Sequence, residues 1–142
     1  MKIYISFLLF VFLLHPYIRA QQIFKGFFKN QSNGITLTLD LYKESVLVPN
    51  FSFLGETNGY MGGNIYGIWI VTKNQIEGKK ATIHLSNEFG SESQTITLEQ
   101  LTDSTYQYEV QDSPIIKKVV NKKLVKIPTK MIFELIENKR KD

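Results

Sequence analysis

From Ile35 to Leu101 apolar and polar residues alternate one by one over several separate stretches, the period of a strand with one face in a core and the other in water. Ile35, Leu37, Leu39 and Leu41 alternate with Thr36, Thr38, Asp40 and Tyr42. Ala81, Ile83 and Leu85 alternate with Thr82, His84 and Ser86, and Ile96 and Leu98 with Thr95, Thr97 and Glu99. Further along, Tyr106, Tyr108 and Val110 share a face, as do Met131, Phe133 and Leu135. From Asn64 both alternating sets are largely apolar, Ile65, Gly67, Trp69, Val71 and Tyr66, Ile68, Ile70, Thr72, which predicts a central strand. Turn chemistry separates the runs: Asn33-Gly34 is the strongest hairpin signal, followed by Lys43–Ser45, Glu77-Gly78, Asn87–Ser91 and Thr102–Ser104. Pro49 removes a backbone donor and implies an edge, a bulge or a break.

Two segments depart from the alternation. Gly55 to Gly63 holds four glycines and predicts a mobile loop with Tyr60 and Met61 at its tip. In 113–127, Ser113-Pro114 is a helix-start signal, and Ile115, Ile116, Val119, Val120 and Leu124 fall at helical spacings. Four of those five are β-branched, so strand or irregular structure is expected, with Asn121-Lys122 able to close a hairpin and a short helix near 113–124 as the alternative.

Short strands every 10 to 15 residues with brief turns predict an all-β antiparallel meander of about eight strands. A small β-barrel, calycin-like in architecture, is preferred over a two-sheet sandwich, because closure removes the edges along which β-branched strands aggregate. Gly67-Ile68-Trp69 resembles the glycine-x-tryptophan of lipocalin barrels, although that family carries the tripeptide in its first strand. No membership follows from three residues.

Lys2 precedes a nearly unbroken apolar run, Ile3 to Leu14, and Ile18-Arg19-Ala20 then precedes Gln21. This predicts a secretory signal peptide over 1–20, since the run is shorter than the roughly 20 residues of a spanning helix. One barrel domain over 21–137 and a frayed basic tail over 138–142 complete the expected organisation. No later segment is long and apolar enough to span. The chain has no cysteine, so neither disulfides nor a lipid-modified thiol are available, and a secreted or periplasmic product of a bacterial envelope is expected. Charge is uneven: residues 21–116 hold six lysines against ten carboxylates, and 117–142 hold nine basic groups against three. With a single arginine after the leader, Arg140, the lysines read as solvated and nucleic acid is not expected as a partner.

Candidate chemistry is sparse. After the leader one histidine remains, His84, placed by its alternation with Thr82 and Ser86 on a wet face; neither a nucleophile–base pair nor a zinc set is expected. Asp40, Glu99 and Glu109 are the strand carboxylates from which an acid–base hydrolase would have to be built, the least favoured class. Gly59-Tyr60-Met61-Gly62-Gly63 lacks the ending of a phosphate loop. The expected function is therefore non-enzymatic, with no metal and no cofactor: an exported barrel that holds a small apolar or amphipathic ligand near Tyr60, Met61, Tyr66 and Trp69. The alternative is a protein-binding module, an inhibitor or immunity-type partner of an exported enzyme, with contacts on the loops at Gly55–Gly63 and Asn87–Ser91.

Overall fold

The computed structural model describes residues 21–136; the expected signal peptide (1–20) and basic tail (138–142) lie outside them. Twelve strands follow one another: β1 (Lys25–Asn30), β2 (Ile35–Asp40), β3 (Val46–Leu47), β4 (Glu56–Thr57), β5 (Gly59–Gly63), β6 (Trp69–Glu77), β7 (Lys80–Asn87), β8 (Ser93–Gln100), β9 (Thr105–Val110), β10 (Lys117–Val120), β11 (Lys123–Lys126) and β12 (Lys130–Ile136). Eight of them close into a barrel in the order β1, β2, β5, β6, β7, β8, β9, β12 and back to β1. Every neighbouring pair is antiparallel. It is an up-and-down barrel, and the seam between first and last strands pairs Phe27 with Ile136, Phe28 with Leu135 and Lys29 with Glu134. The other four strands form two ribbons, β3–β4 and β10–β11, inserted in connections between staves.

The alternation explains the inside of the barrel. Ile35, Leu37 and Leu39 of β2, Ile83 and Leu85 of β7, and Ile96 and Leu98 of β8 are all buried, while the neighbouring Thr36, Thr38, Thr82 and Thr95 are half-buried on the outer wall and Thr97 is covered there, accepting from Gln111 Nε2. Phe24, Phe28, Trp69, Tyr106, Tyr108 and Phe133 occupy the lumen, with Tyr106 edge-on to Phe28 at 4.8 Å between centroids and Tyr108 tilted against Phe133 at 5.6 Å. Each such side chain contributes roughly 1.5–3 kcal/mol by leaving water. Tyr106 donates its hydroxyl to Ile23 O at 2.6 Å, tying the segment before β1 across the lumen end.

Two local expectations are corrected, and at 113–127 the hairpin expectation holds over its helical alternative. Gly55–Gly63 is no mobile loop: most of it is β4 and the barrel stave β5. Two of its glycines serve close approach: a side chain at Gly59, with φ +141°, would collide with the Thr38 carbonyl of β2, and one at Gly63 with the Gly34 carbonyl. The predicted central strand starts later than the pattern implied. Asn64–Ile68 is a connection in which Gly67 takes φ +80°, β6 begins at Trp69, and Ile70 is half-buried on the outer wall while Trp69 and Val71 face in. No helix forms near 113–124; the segment is the hairpin β10–β11, whose turn residues Asn121 and Lys122 have φ 51° and 64°. Two successive positive φ values define the turn whose twist matches paired strands.

Candidate functional site

The four residues expected to meet a ligand fall in three places. Met61 and Trp69 are register partners across β5 and β6, and both are buried in the lumen. Tyr60, next on β5, lies half-buried on the outer wall in register with Thr38 and Ile70. Tyr66 stands in the 64–68 connection, 63% exposed, with its N–H donating to Lys117 O at 2.7 Å. The structure brings two of the four together and separates the others from them by the thickness of the wall or the length of a loop.

The polar candidates hold the scaffold or face water. Asp40 is buried because it closes a turn: one carboxylate oxygen accepts from the Tyr42 and Lys43 N–H groups at 3.1 Å each, and the other accepts from the Ser45 hydroxyl at 2.8 Å. Its alternation had placed it on the wet face; an acceptor-only group surrounded by donors can leave water. Glu109 pairs with Lys130 on the outer wall at 3.7 Å, and Glu99 lies in register with Lys80 and Gln107. His84 meets the Thr95 hydroxyl at 3.1 Å through Nδ1. Beside it, on the outside of β6–β9, is a polar depression of about 390 Å³ lined by Glu77, Lys80, Thr82, Thr95, Thr97 and Gln111. Among the described residues no three His, Cys, Asp or Glu side chains group as metal ligands would.

Strand direction alternates around the barrel, so the connections 31–34, 64–68, 88–92 and 111–129 emerge at one end. They are joined there: Asn64 N–H donates to Gly34 O at 2.9 Å, Ile68 N–H to Glu88 Oε2 at 3.2 Å, and Lys118 Nζ reaches Asn33 Oδ1 at 3.5 Å. Gln94, buried on β8, braces the start of the long connection by donating to Asp112 Oδ1 and accepting from Ile115 N–H at 2.9 Å. On this frame sit the exposed apolar groups. Phe89 is 83% exposed, and Val119, Val120, Leu124 and Val125 of the β10–β11 ribbon are 39–54% exposed. The opposite end presents Phe53, 79% exposed beside Phe51.

The ribbon is the surface element that sequence reasoning did not single out. Its signal is in plain view, Lys117-Lys-Val-Val-Asn-Lys-Lys-Leu-Val-Lys126, where lysines bracket aliphatic pairs in each strand. Residues opposite one another in an antiparallel pair share a face. One face therefore carries Lys117, Val119, Leu124 and Lys126, and the other Lys118, Val120, Lys123 and Val125. Apart from half-buried Lys118, every residue of it is exposed.

Fold and geometry define an eight-stranded up-and-down β-barrel with an aromatic lumen and one end elaborated by loops and a basic ribbon. Comparison with protein-family models, with curated proteins and with solved structures finds no match for this chain. Among the described residues no helix is long and apolar enough to cross a membrane.

Proposed function

We propose that the chain is an exported, non-enzymatic binding module that meets its partner with the outside of the loop-and-ribbon end. Export rests on the leader-like pattern over 1–20. The carrying observation is the contrast between inside and outside. The lumen, where a barrel of this size would hold a ligand, is occupied by the rings of Phe24, Phe28, Tyr106, Tyr108 and Phe133. At the same end of the barrel, apolar side chains from two separate elements, Phe89 and the ribbon, remain in water. Clustered exposed apolar groups rimmed by charge mark interaction surfaces.

Trp69 is the only tryptophan and lines the lumen, so its emission reports on anything that enters. Titration with a panel of fatty acids, sterols and amphipathic detergents below their micelle threshold is expected to leave that emission unchanged. A saturable, one-to-one shift would place the ligand inside and overturn the exterior reading.

A further inference from the structure

We propose that the β10–β11 ribbon docks the protein onto an anionic phospholipid surface; this deepens, and rests on, the exterior-contact function proposed above. The first argument is charge segregation. Residues 21–136 carry twelve lysines and eleven carboxylates, nearly balanced. Five of the lysines, Lys117, Lys118, Lys122, Lys123 and Lys126, lie within ten residues of the ribbon, which contains no carboxylate. The rest of the described chain is left with seven lysines against eleven carboxylates. A molecule so polarised presents its ribbon to a negative surface and turns its acidic body away. Of the carboxylates at that end, Glu88 accepts from Ile68 N–H, Asp112 is held by Gln94 and Thr95 N–H, and Glu92 remains exposed.

The second argument concerns which anionic partner. Nucleic acid would engage the lysines but leave Val119, Val120, Leu124 and Val125 in water, and residues 21–136 contain no arginine to read phosphate or base in a fixed fork. The aliphatics lie on both faces of a ribbon that is exposed on each, Val119 and Leu124 on one and Val120 and Val125 on the other. A rigid protein partner would need a cleft shaped to clasp both, whereas the fluid headgroup layer closes around an element exposed on two faces. Each strand carries two lysines beside its aliphatic pair, and their apolar stems can follow the aliphatics while the ammonium groups reach the headgroups. Tyr66, bonded through its N–H to the ribbon's base, adds an aromatic of the kind that settles at a membrane interface.

The test uses the protein recovered after export, with all variants in the same background so that both termini are common to every arm. Sedimentation with phosphatidylcholine vesicles containing about 30 mol% phosphatidylglycerol is compared with pure phosphatidylcholine, at ionic strengths of about 0.1 and 0.5 M. Binding is expected to the anionic vesicles alone and to fall sharply at the higher salt. The quadruple variant Lys117→Gln, Lys122→Gln, Lys123→Gln, Lys126→Gln should lose about a hundredfold or more in partitioning. Val119→Ser with Leu124→Ser should lose about tenfold, and Phe53→Ser, at the opposite end, nothing. All substituted positions are exposed, and unchanged Trp69 emission verifies the barrel in each variant. Equal binding to neutral vesicles, a quadruple variant that binds as the parent does, tighter binding to a DNA duplex insensitive to the Val119/Leu124 change, or a ribbon buried in a solution dimer would each overturn the proposal. Vesicles left unbound while Trp69 stays silent to the ligand panel would sink the lipid assignment and leave exterior contact standing. A Trp69 response would remove both.

Discussion

Two tyrosines on β9 show how much the surroundings of one hydroxyl decide. Tyr106 and Tyr108 both point into the lumen and are fully buried, but Tyr106 donates to Ile23 O at 2.6 Å while Tyr108 Oη has no hydrogen-bond partner among the described residues. A buried hydroxyl that finds no partner costs free energy, and one that finds a carbonyl recovers it. Tyr106→Phe is therefore expected to destabilise by about 1–2 kcal/mol, leaving the Ile23 carbonyl unpaired, whereas Tyr108→Phe should be neutral or stabilising. Urea midpoints of the two variants check this ordering, and a Tyr108→Phe loss as large as that of Tyr106→Phe would contradict it. The same burial sets an alkaline limit. Desolvation pushes the ionisation of both hydroxyls upward, reinforced at Tyr108 by the nearby Asp112 charge and eased at Tyr106 by the Gln100 amide. With its folded pKa raised, each tyrosine keeps its proton where the unfolded chain gives it up, so stability is full below about pH 10 and declines above it, Tyr108, the more strongly desolvated, contributing a slope of up to about 1.4 kcal/mol per pH unit. Unfolding midpoints between pH 9 and 11.5, roughly bracketing the free tyrosine value, should fall less steeply in Tyr108→Phe than in the parent.

At the scale of the element, the hairpin turn is the place where sequence and geometry disagree most usefully. Asn121 is at home with φ 51°, but Lys122 holds φ 64° with a side chain, a conformation that costs a non-glycine residue roughly 1–2 kcal/mol. Lys122→Gly should relieve about 1 kcal/mol of that, slowing amide exchange at Lys118 and Val120 about fivefold while the barrel's urea midpoint stays put. Faster exchange would mean that the lysine side chain supports the turn. Strand identity was legible wherever one face is buried, because alternation is then enforced by solvent: β2, β7, β8, β9 and β12 all follow the sequence pattern. It was illegible where another cause chose the residues. Gly59 and Gly63 of β5 answer to the Thr38 and Gly34 carbonyls of neighbouring backbone, and so imitate a loop. The ribbon's helix-like spacing arises from two strands exposed on both faces, where no core imposes a period. The candidate site suffered more. Tyr60, Met61, Tyr66 and Trp69 are close in sequence, yet the strand period sends Tyr60 and Met61 to opposite sides of the wall, and which loops share a barrel end depends on strand order, a long-range property.

For the whole molecule, closure and excursion imply two levels of stability. Each barrel stave is paired on both sides, and the lumen joins all eight in one apolar cluster, so no stave can leave without exposing its neighbours. The β10–β11 ribbon adds nothing to that cluster between Lys117 and Lys126; Ile116 and Ile127, just outside it, are its buried anchors, joined by Ile127 N–H donating to Ile116 O at 3.1 Å. A two-stranded ribbon without a packed face is marginal by itself in water. Native-state hydrogen exchange should therefore divide the described chain. Amides of β2, β7 and β8 are expected to exchange only through global unfolding, with a steep dependence on denaturant, while those of β10 and β11 exchange through local opening that denaturant hardly changes. Anionic vesicles would then protect the ribbon and leave the staves as they were, because only the part still partly free to open gains order on contact. If the ribbon instead exchanged with the barrel's global free energy in water alone, it would be a packed part of the core, and its aliphatics would have no reason to await a second surface.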